Sequence, residues 1–269
     1  MTTLLRNKVI VITGSSSGIG RAIALSCAQQ GATLVLHHLG NPQTHQDAES
    51  LHRELQDTTA PAMLDGRKTS HLMIGADLTT DDAPNRLISQ TISTFGRIDT
   101  LVNNAGICQF APAGSVTKAL LAKHVDVNFT AAWLLTQAAT EEMVRRNRGG
   151  GGSVVSIASI TAVRGSKELA HYAPTKAALL AMSKSFAVEF GRYGIRYNCV
   201  LPGTIQTTMN EKDLAVGGKK KWMEERVPLG RLGRPEDIAG GVVFFASELS
   251  KYVSGEQLLI DGGASVYYQ

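Results

Sequence analysis

The sequence has 269 residues, of which 43% are hydrophobic and 19% charged, with no low-complexity tract. This is enough apolar material for a sizeable core and excludes a disordered chain; one domain over residues 1–269 is expected. The net charge of +4 is scattered along the chain, which argues against a nucleic-acid surface, and no apolar run approaches the roughly 18 residues of a membrane span.

The N-terminal stretch MTTLLRNKVIVITG runs into a strand pattern with no cleavable signal, so a cytoplasmic location is expected. The first strand is KVIVIT at 8–13, followed by the glycine loop TGSSSGIG at 13–20 and a helix from about Gly18. ATLVLHH at 32–38 is the second strand. Residues 40–70 are polar, with an exposed helix near Gln46 to Leu55 and then an irregular loop. Further strands fall at HLMIGAD (71–77), DTLVNNAG (99–106), SVVSIAS (153–159), IRYNCVLPG (195–203) and EQLLIDGG (256–263). RRNRGGGG at 145–152 reads as a helix end and turn. Residues 204–228 break the rhythm and read as a helical flap over the ligand side of the sheet. Strands lacking in/out alternation, separated by helix-length segments, predict an α/β fold: a Rossmann-type, doubly wound parallel sheet of seven strands with helices on both faces. Cys27, Cys108 and Cys199 lie far apart in apolar contexts and are expected as buried free thiols, with no metal site.

A glycine-rich turn from strand to helix lets the backbone approach a pyrophosphate at the helix N-terminus. Gly14, Gly18 and Gly20 fill that role, with Ser16, Ser17 and Ile19 in the same loop. The spacing differs from the usual Gly-x-Gly-x-x-Gly fingerprint. Where dinucleotide folds place an acid that repels a 2′-phosphate, this chain has His37 and His38, either cofactor contacts or an ordinary polar strand end. The missing acid removes the repulsion that would exclude NADP, whereas no arginine in the loop or beside the strand clamps a phosphate, so the cofactor is NADP or NAD, leaning only slightly to NADP. Asp77 and Leu78, ending the third strand, are placed at the adenine.

TGSSSGIG, Asn103-Asn104-Ala105-Gly106, Asn128, Ser159, Tyr172-x-x-x-Lys176 and Pro202-Gly203 occur in this order across residues 8–263. Together they resemble the short-chain dehydrogenase/reductase family. The resemblance implies Asn128, Ser159, Tyr172 and Lys176 as catalytic residues, Tyr172 being the acid/base. It also implies cofactor contacts from Asn104, Ala105, Gly106, Tyr172, Lys176, Pro202, Gly203, Ile205 and Thr207. Asn128 would bend its helix and keep a water that relays the proton past Lys176. The residues agree physically: Tyr172 and Lys176 share one helix face, and a cation about 4 Å from the phenol in an effective dielectric of ~20 contributes roughly the 4 kcal/mol needed to bring its pKa near neutrality, so Lys176, helped by the positive charge of an oxidised nicotinamide, is expected to make Tyr172 the acid/base. Ser159 ends a strand on the ligand side and is suited to hold the reacting oxygen. Pro174 would break a helix interior, so the helix is expected to begin close to His171.

Within the family, HHLG (37–40), NAGIC (104–108), HYAPTKAALL (171–180) and above all YGIRYNCVLPGTIQTTMNEKDL (193–214) are most similar to the fungal L-rhamnose 1-dehydrogenase group. The resemblance implies oxidation of a sugar at C1 to the aldonolactone, without a metal, by a homotetramer. A sugar needs several hydroxyl partners. Besides Ser159 and Tyr172, the candidates are Thr161, Arg164, Thr204 and Asn210, with Gln109 and Trp222 behind them; Asn210 is preferred, and each could instead stabilise a loop. A ketone or quinone-like reductase and a catalytically silent NAD(P)H sensor are the alternatives.

Overall fold

All seven apolar runs form strands in the computed structural model, which describes residues 3–57, 71–147 and 150–267. They are β1 (Val9–Ile12), β2 (Thr33–His38), β3 (Leu72–Gly75), β4 (Thr100–Asn103), β5 (Gly152–Ile157), β6 (Ile195–Pro202) and β7 (Gln257–Ile260). Every pairing is parallel, in the order β3-β2-β1-β4-β5-β6-β7. Several strands are shorter than their apolar runs, because the terminal residues leave the ladder to form loops at the carboxyl edge.

The helices are α1 (Gly18–Gln29), α2 (Pro42–Asp57), α3 (Ala83–Phe95), α4 (Lys118–Val125), α5 (Ala131–Arg146), α6 (Ala173–Phe190), α7 (Glu211–Leu214), α8 (Lys219–Glu224) and α9 (Pro235–Ala246). Strand alternation divides the core in two. Ile10, Ile12, Leu34, Leu36 and Val200 pack with Ile23 of α1, Leu51 of α2 and Val242 of α9. On the other face Val9, Val11, Val35, Leu101 and Tyr197 pack with Leu87, Leu135 and Leu179 of α3, α5 and α6. With helices on both faces, β1, β2 and β4 are buried throughout, while the edge strands β3 and β7 are partly exposed.

Helix α2 starts four residues earlier than the polarity pattern predicts. Asn41 Oδ1 accepts the Thr44 backbone N–H at 2.9 Å, and Pro42 supplies a preset first turn. The loop expected after it, at 58–70, lies outside the described residues. Helix α5 ends at Arg146, as expected, while residues 148–149 of the glycine turn lie outside the description. The 204–228 segment contains α7 and α8. Among the described residues no helix is long and apolar enough to cross a membrane.

Candidate active site

A cleft of about 1330 Å³ opens along the carboxyl edge of the sheet. It spans the point between β1 and β4 where the chain's connections diverge to opposite sides, the place where open parallel sheets bind ligands. The glycine loop forms one wall. Gly14 and Gly18 have φ of +61° and +52°, a region that L side chains rarely occupy. A Cβ on Gly20 would collide with the Gly14 carbonyl oxygen and come within 2.5 Å of Asn104 Nδ2. Ser17, the N-cap of α1, makes no side-chain cap, so the amides of the first turn remain available to an anion. Gly14, Ser16, Ser17, Gly18, Ile19 and Gly20 all line the cleft. These open amides and close glycine contacts fit the pyrophosphate of a dinucleotide.

The loop is held from the neighbouring strand. Thr13 Oγ1 accepts the backbone N–H groups of Asn104 and Ala105, both at 2.9 Å. Asn104 Nδ2 donates to the carbonyls of Thr13 and Gly14 at 2.8 and 3.1 Å. Thr13 is a brace that the sequence reading missed; its signal was a hydroxyl residue ending an otherwise aliphatic strand.

His37 and His38 separate. The His37 ring is buried and accepts the Gly14 N–H on Nδ1 at 3.2 Å, so its hydrogen sits on Nε2, 2.9 Å from the Ala76 carbonyl. Burial pulls its pKa down to about 4. It borders the cleft as a support for the glycine loop. His38, offered as a cofactor contact, does not line the cleft: it points to the other face, accepts the Gly40 N–H at 3.1 Å and packs beside Gly75. Leu39, half-exposed, takes that place in the wall. Asp77 and Leu78 line the cleft as expected; Asp77 Oδ1 accepts from the N–H and hydroxyl of Thr79, which hold its carboxyl below the usual range.

Farther along, the four expected catalytic residues converge. Between α4 and α5 the chain makes one π-helical turn, Asp126–Thr130, containing Asn128. This is the bend expected there, and such turns recur at functional sites. Asn128 pairs with the backbone of Ile107 in both directions, Oδ1 accepting at 2.8 Å and Nδ2 donating at 3.0 Å, and also donates to Thr175 Oγ1 at 3.2 Å. Ser159 follows β5, and its Oγ accepts from the N–H and hydroxyl of Thr161 at 3.1 and 3.0 Å. Both contacts use lone pairs, leaving the Ser159 hydrogen to donate into the cleft. Tyr172 is the N-cap of α6 and Pro174 lies in its first turn, where proline is tolerated. Lys176 is buried, donates to the Ile157 carbonyl at 3.0 Å and sits 5.6 Å from the centre of the Tyr172 ring.

The electrostatics of the chain without a dinucleotide are set by burial. In the chain alone Tyr172 is pushed up, first by burial, with the neighbouring Ser159 hydroxyl only partly offsetting it. Lys176 is pulled down to about 8 by burial, so it still carries its proton at neutral pH. The lysine by itself therefore does not make the phenol a ready base, and further positive charge is required.

A family model described as enoyl-(acyl carrier protein) reductase matches residues 14–265. The chain belongs to the short-chain dehydrogenase/reductase family. Among its relatives in that family, the L-rhamnose-1-dehydrogenase of Scheffersomyces stipitis is 42% identical over 269 residues, the full length of both chains. The L-rhamnose 1-dehydrogenase (NAD(P)(+)) of Azotobacter vinelandii is 42% identical over 99% of this chain and 100% of the relative. Among solved structures, a putative NAD(P)-dependent gluconate 5-dehydrogenase from Beutenbergia cavernae with bound NADP superposes with a TM-score of 0.88 at 30% identity, covering 99% of this chain and 100% of that one.

In this family member the substrate end of the cleft is walled by the turn after β5, the segment after β4 and the flap. Ala105, Gly106, Pro202, Gly203, Ile205 and Thr207 line the cleft, Ala105 beside Gly14 and Thr207 beside Gly18 of the glycine loop, and the candidate substrate residues Thr161, Arg164, Thr204, Asn210 and Trp222 line it too. Gln109 does not; its N–H donates to the buried His124 ring at 3.3 Å. Asn210 is committed to the flap's own backbone: Oδ1 accepts the Thr207 N–H at 3.0 Å, and Nδ2 donates to the Ile205 carbonyl at 2.9 Å. The preferred substrate contact is thus first a staple that shapes the flap. Cys108, expected as a buried thiol, is only partly buried and lines the cleft, as do Phe110, Asp213 and Lys219, which sequence reasoning passed over.

Proposed function

We propose that this chain oxidises L-rhamnose, or a closely related aldose, at C1 to the aldonolactone, with NADP or NAD as acceptor. The observation that carries this reading is the meeting of Tyr172, Ser159 and Lys176 in one cleft with a glycine loop built for a pyrophosphate. The activities of the relatives supply the sugar and the cofactor pair.

The nicotinamide of a bound dinucleotide supplies the acceptor for the hydrogen and electron pair leaving C1, and its positive charge lowers the phenol's proton affinity. Ser159 donates its hydrogen bond to the anomeric oxygen and holds it within reach of Tyr172. Tyr172 takes the anomeric hydroxyl proton. Lys176, charged at neutral pH, stabilises the phenolate that must precede that transfer. Asn128 fixes the Ile107 segment beside Gly106; a Cβ there would stand 3.1 Å from Asn128 Oδ1 and 3.4 Å from Lys176 Nζ. The two polar groups thus lie near each other, and the proton leaves past Lys176 along that side.

The lean to NADP rests on the lack of an acid at the end of β2, where Leu39 faces the cleft. Subunit contacts are proposed at β7, the open edge of the sheet, where Leu258 is partly exposed and Val266 and Tyr267 stand free nearby, as part of a homotetramer in the cytoplasm. Spectrophotometric assay of L-rhamnose, L-lyxose and L-mannose with both oxidised cofactors, against simple ketones with the reduced ones, tests the reading. Lactone formation from L-rhamnose is expected; ketone reduction without sugar oxidation would overturn it.

A further inference from the structure

The flap contributes a carboxylate to the cleft that the chemistry at Tyr172 does not use. Asp213, in α7, lines the cleft with a side chain only 21% exposed. Its Oδ1 accepts from Lys219 Nζ at 2.5 Å, while its Oδ2 has no hydrogen-bond partner among the described residues. Lys219 in turn sits 5.1 Å over the centre of the Phe110 ring, on the segment after β4. The ion pair lies within the flap, and the contact of Lys219 with Phe110 links it to the segment after β4.

Cys108 shows how this pair stands relative to the reacting end. Its thiol lies on the same wall two residues before Phe110 and is pushed up to about 11, mainly by burial. The charges of Asp213 and of Lys176 both act on it, and it acts on Tyr172. Cys108, Asp213, Tyr172 and Lys176 all line the one cleft, and Lys219 ties Asp213 to Phe110, two residues from Cys108. A substrate held at one end by Ser159 and Tyr172 therefore shares its cleft with the Asp213 carboxylate. A carboxylate with a vacant oxygen offers strong acceptors to neighbouring hydroxyl groups, and a partly desolvated one binds them more tightly than a neutral amide does. The other polar flap residue prominent in the sequence, Asn210, has its amide engaged with the flap backbone.

We infer that Asp213, oriented by Lys219, is a specificity-determining residue that accepts hydrogen bonds from the ring hydroxyls of the sugar remote from C1. The inference rests on the sugar-oxidising reading and adds which residue selects a polyhydroxylated substrate over a plain lactol. Phe110 and Lys219 hold the carboxylate in place, and the charge at Asp213 provides the selection.

The test compares kcat/KM for L-rhamnose with that for 2-hydroxytetrahydropyran, a lactol with the reacting hydroxyl and no others. In Asp213→Asn the sugar value is expected to fall about 10- to 100-fold, mostly through KM, the loss appropriate to charge-assisted hydrogen bonds. The lactol value is expected to change less than about threefold, and dinucleotide affinity to stay as in the wild type. Lys219→Met breaks the same ion pair but keeps the carboxylate, and is expected to retain most of the sugar preference. An equal loss on both substrates in Asp213→Asn, an unchanged ratio, or the same collapse in Lys219→Met would overturn the inference. Wild-type turnover of L-rhamnose tests the underlying reading separately: none at all sinks both, whereas turnover with an unchanged ratio in Asp213→Asn sinks this inference alone.

Discussion

The backbone N–H of Gly14 donates to Nδ1 of His37 at 3.2 Å, and the opposite nitrogen of the same ring faces the Ala76 carbonyl at 2.9 Å. Acceptance of the Gly14 N–H by Nδ1 requires a neutral imidazole, and burial lowers its pKa to about 4. In the unfolded chain the ring titrates near 6.5, so between these values the unfolded state binds a proton that the native state refuses. The stabilisation is thus complete above about pH 6.5 and is lost as pH falls toward 4, by about 3 kcal/mol. Urea unfolding of the wild type and His37→Asn at pH 7 and pH 4 checks it: the wild-type advantage should shrink by that amount. A difference independent of pH would show that the ring is not the neutral brace described.

Among the glycines lining the cleft, Gly20 is the one whose replacement the packing forbids most directly. In Gly20→Ala the new methyl meets the Gly14 carbonyl and Asn104 Nδ2, the groups that tie the loop to β4. Relief requires the loop to move, at a stability loss on the order of 2 kcal/mol. Dinucleotide affinity, measured by quenching or calorimetry, should weaken at least about tenfold, whereas Gly114→Ala, which meets nothing within 4 Å, should leave it unaltered.

The contrast between these residues explains what the sequence could disclose. Tyr172, Pro174 and Lys176 were legible because their roles depend on local spacing: four residues bring two side chains to one helix face, and a proline fixes where that helix must start. The parallel sheet was legible because strands buried on both faces are predominantly apolar without in/out alternation. His37 and His38 were not distinguishable, since alternation assigns them to opposite faces but not to the face the glycine loop bends over. Asp213 and Lys219 were hidden for another reason. The flap has no sustained period, and its relation to Cys108 and Phe110, some hundred residues earlier, exists only once the strands are ordered.

Leu39 occupies the cleft wall at the end of β2, where an acid would repel a 2′-phosphate. With 49% of its surface exposed, it can be exchanged without disturbing the core. Leu39→Asp is expected to shift the ratio of kcat/KM for NADP over NAD downward by about tenfold or more, the size of one close charge repulsion near a surface. Steady-state assays with each cofactor at saturating sugar would measure it. An unchanged ratio would place the adenosine ribose elsewhere in the cleft.

Lys176 sits 5.6 Å from the centre of the Tyr172 ring and is charged below its pKa of about 8, while burial holds the phenol protonated in the chain alone. Sugar oxidation needs the phenolate, so kcat/KM should rise with pH from the acid side and level off at the apparent pKa of Tyr172 in the cofactor-bound form. At this separation and an effective dielectric of about 20, the ammonium is worth roughly 3 kcal/mol to the phenolate. Lys176→Met should therefore move the inflection upward by about 2 pH units and lower the neutral-pH rate on the order of 100-fold. Tyr172→Phe, which has no proton to exchange, should lose about 10³-fold or more at every pH yet keep dinucleotide binding. An inflection that stays in place in Lys176→Met would mean that the bound cofactor alone sets the acidity of the phenol, leaving the buried lysine to orient what it touches.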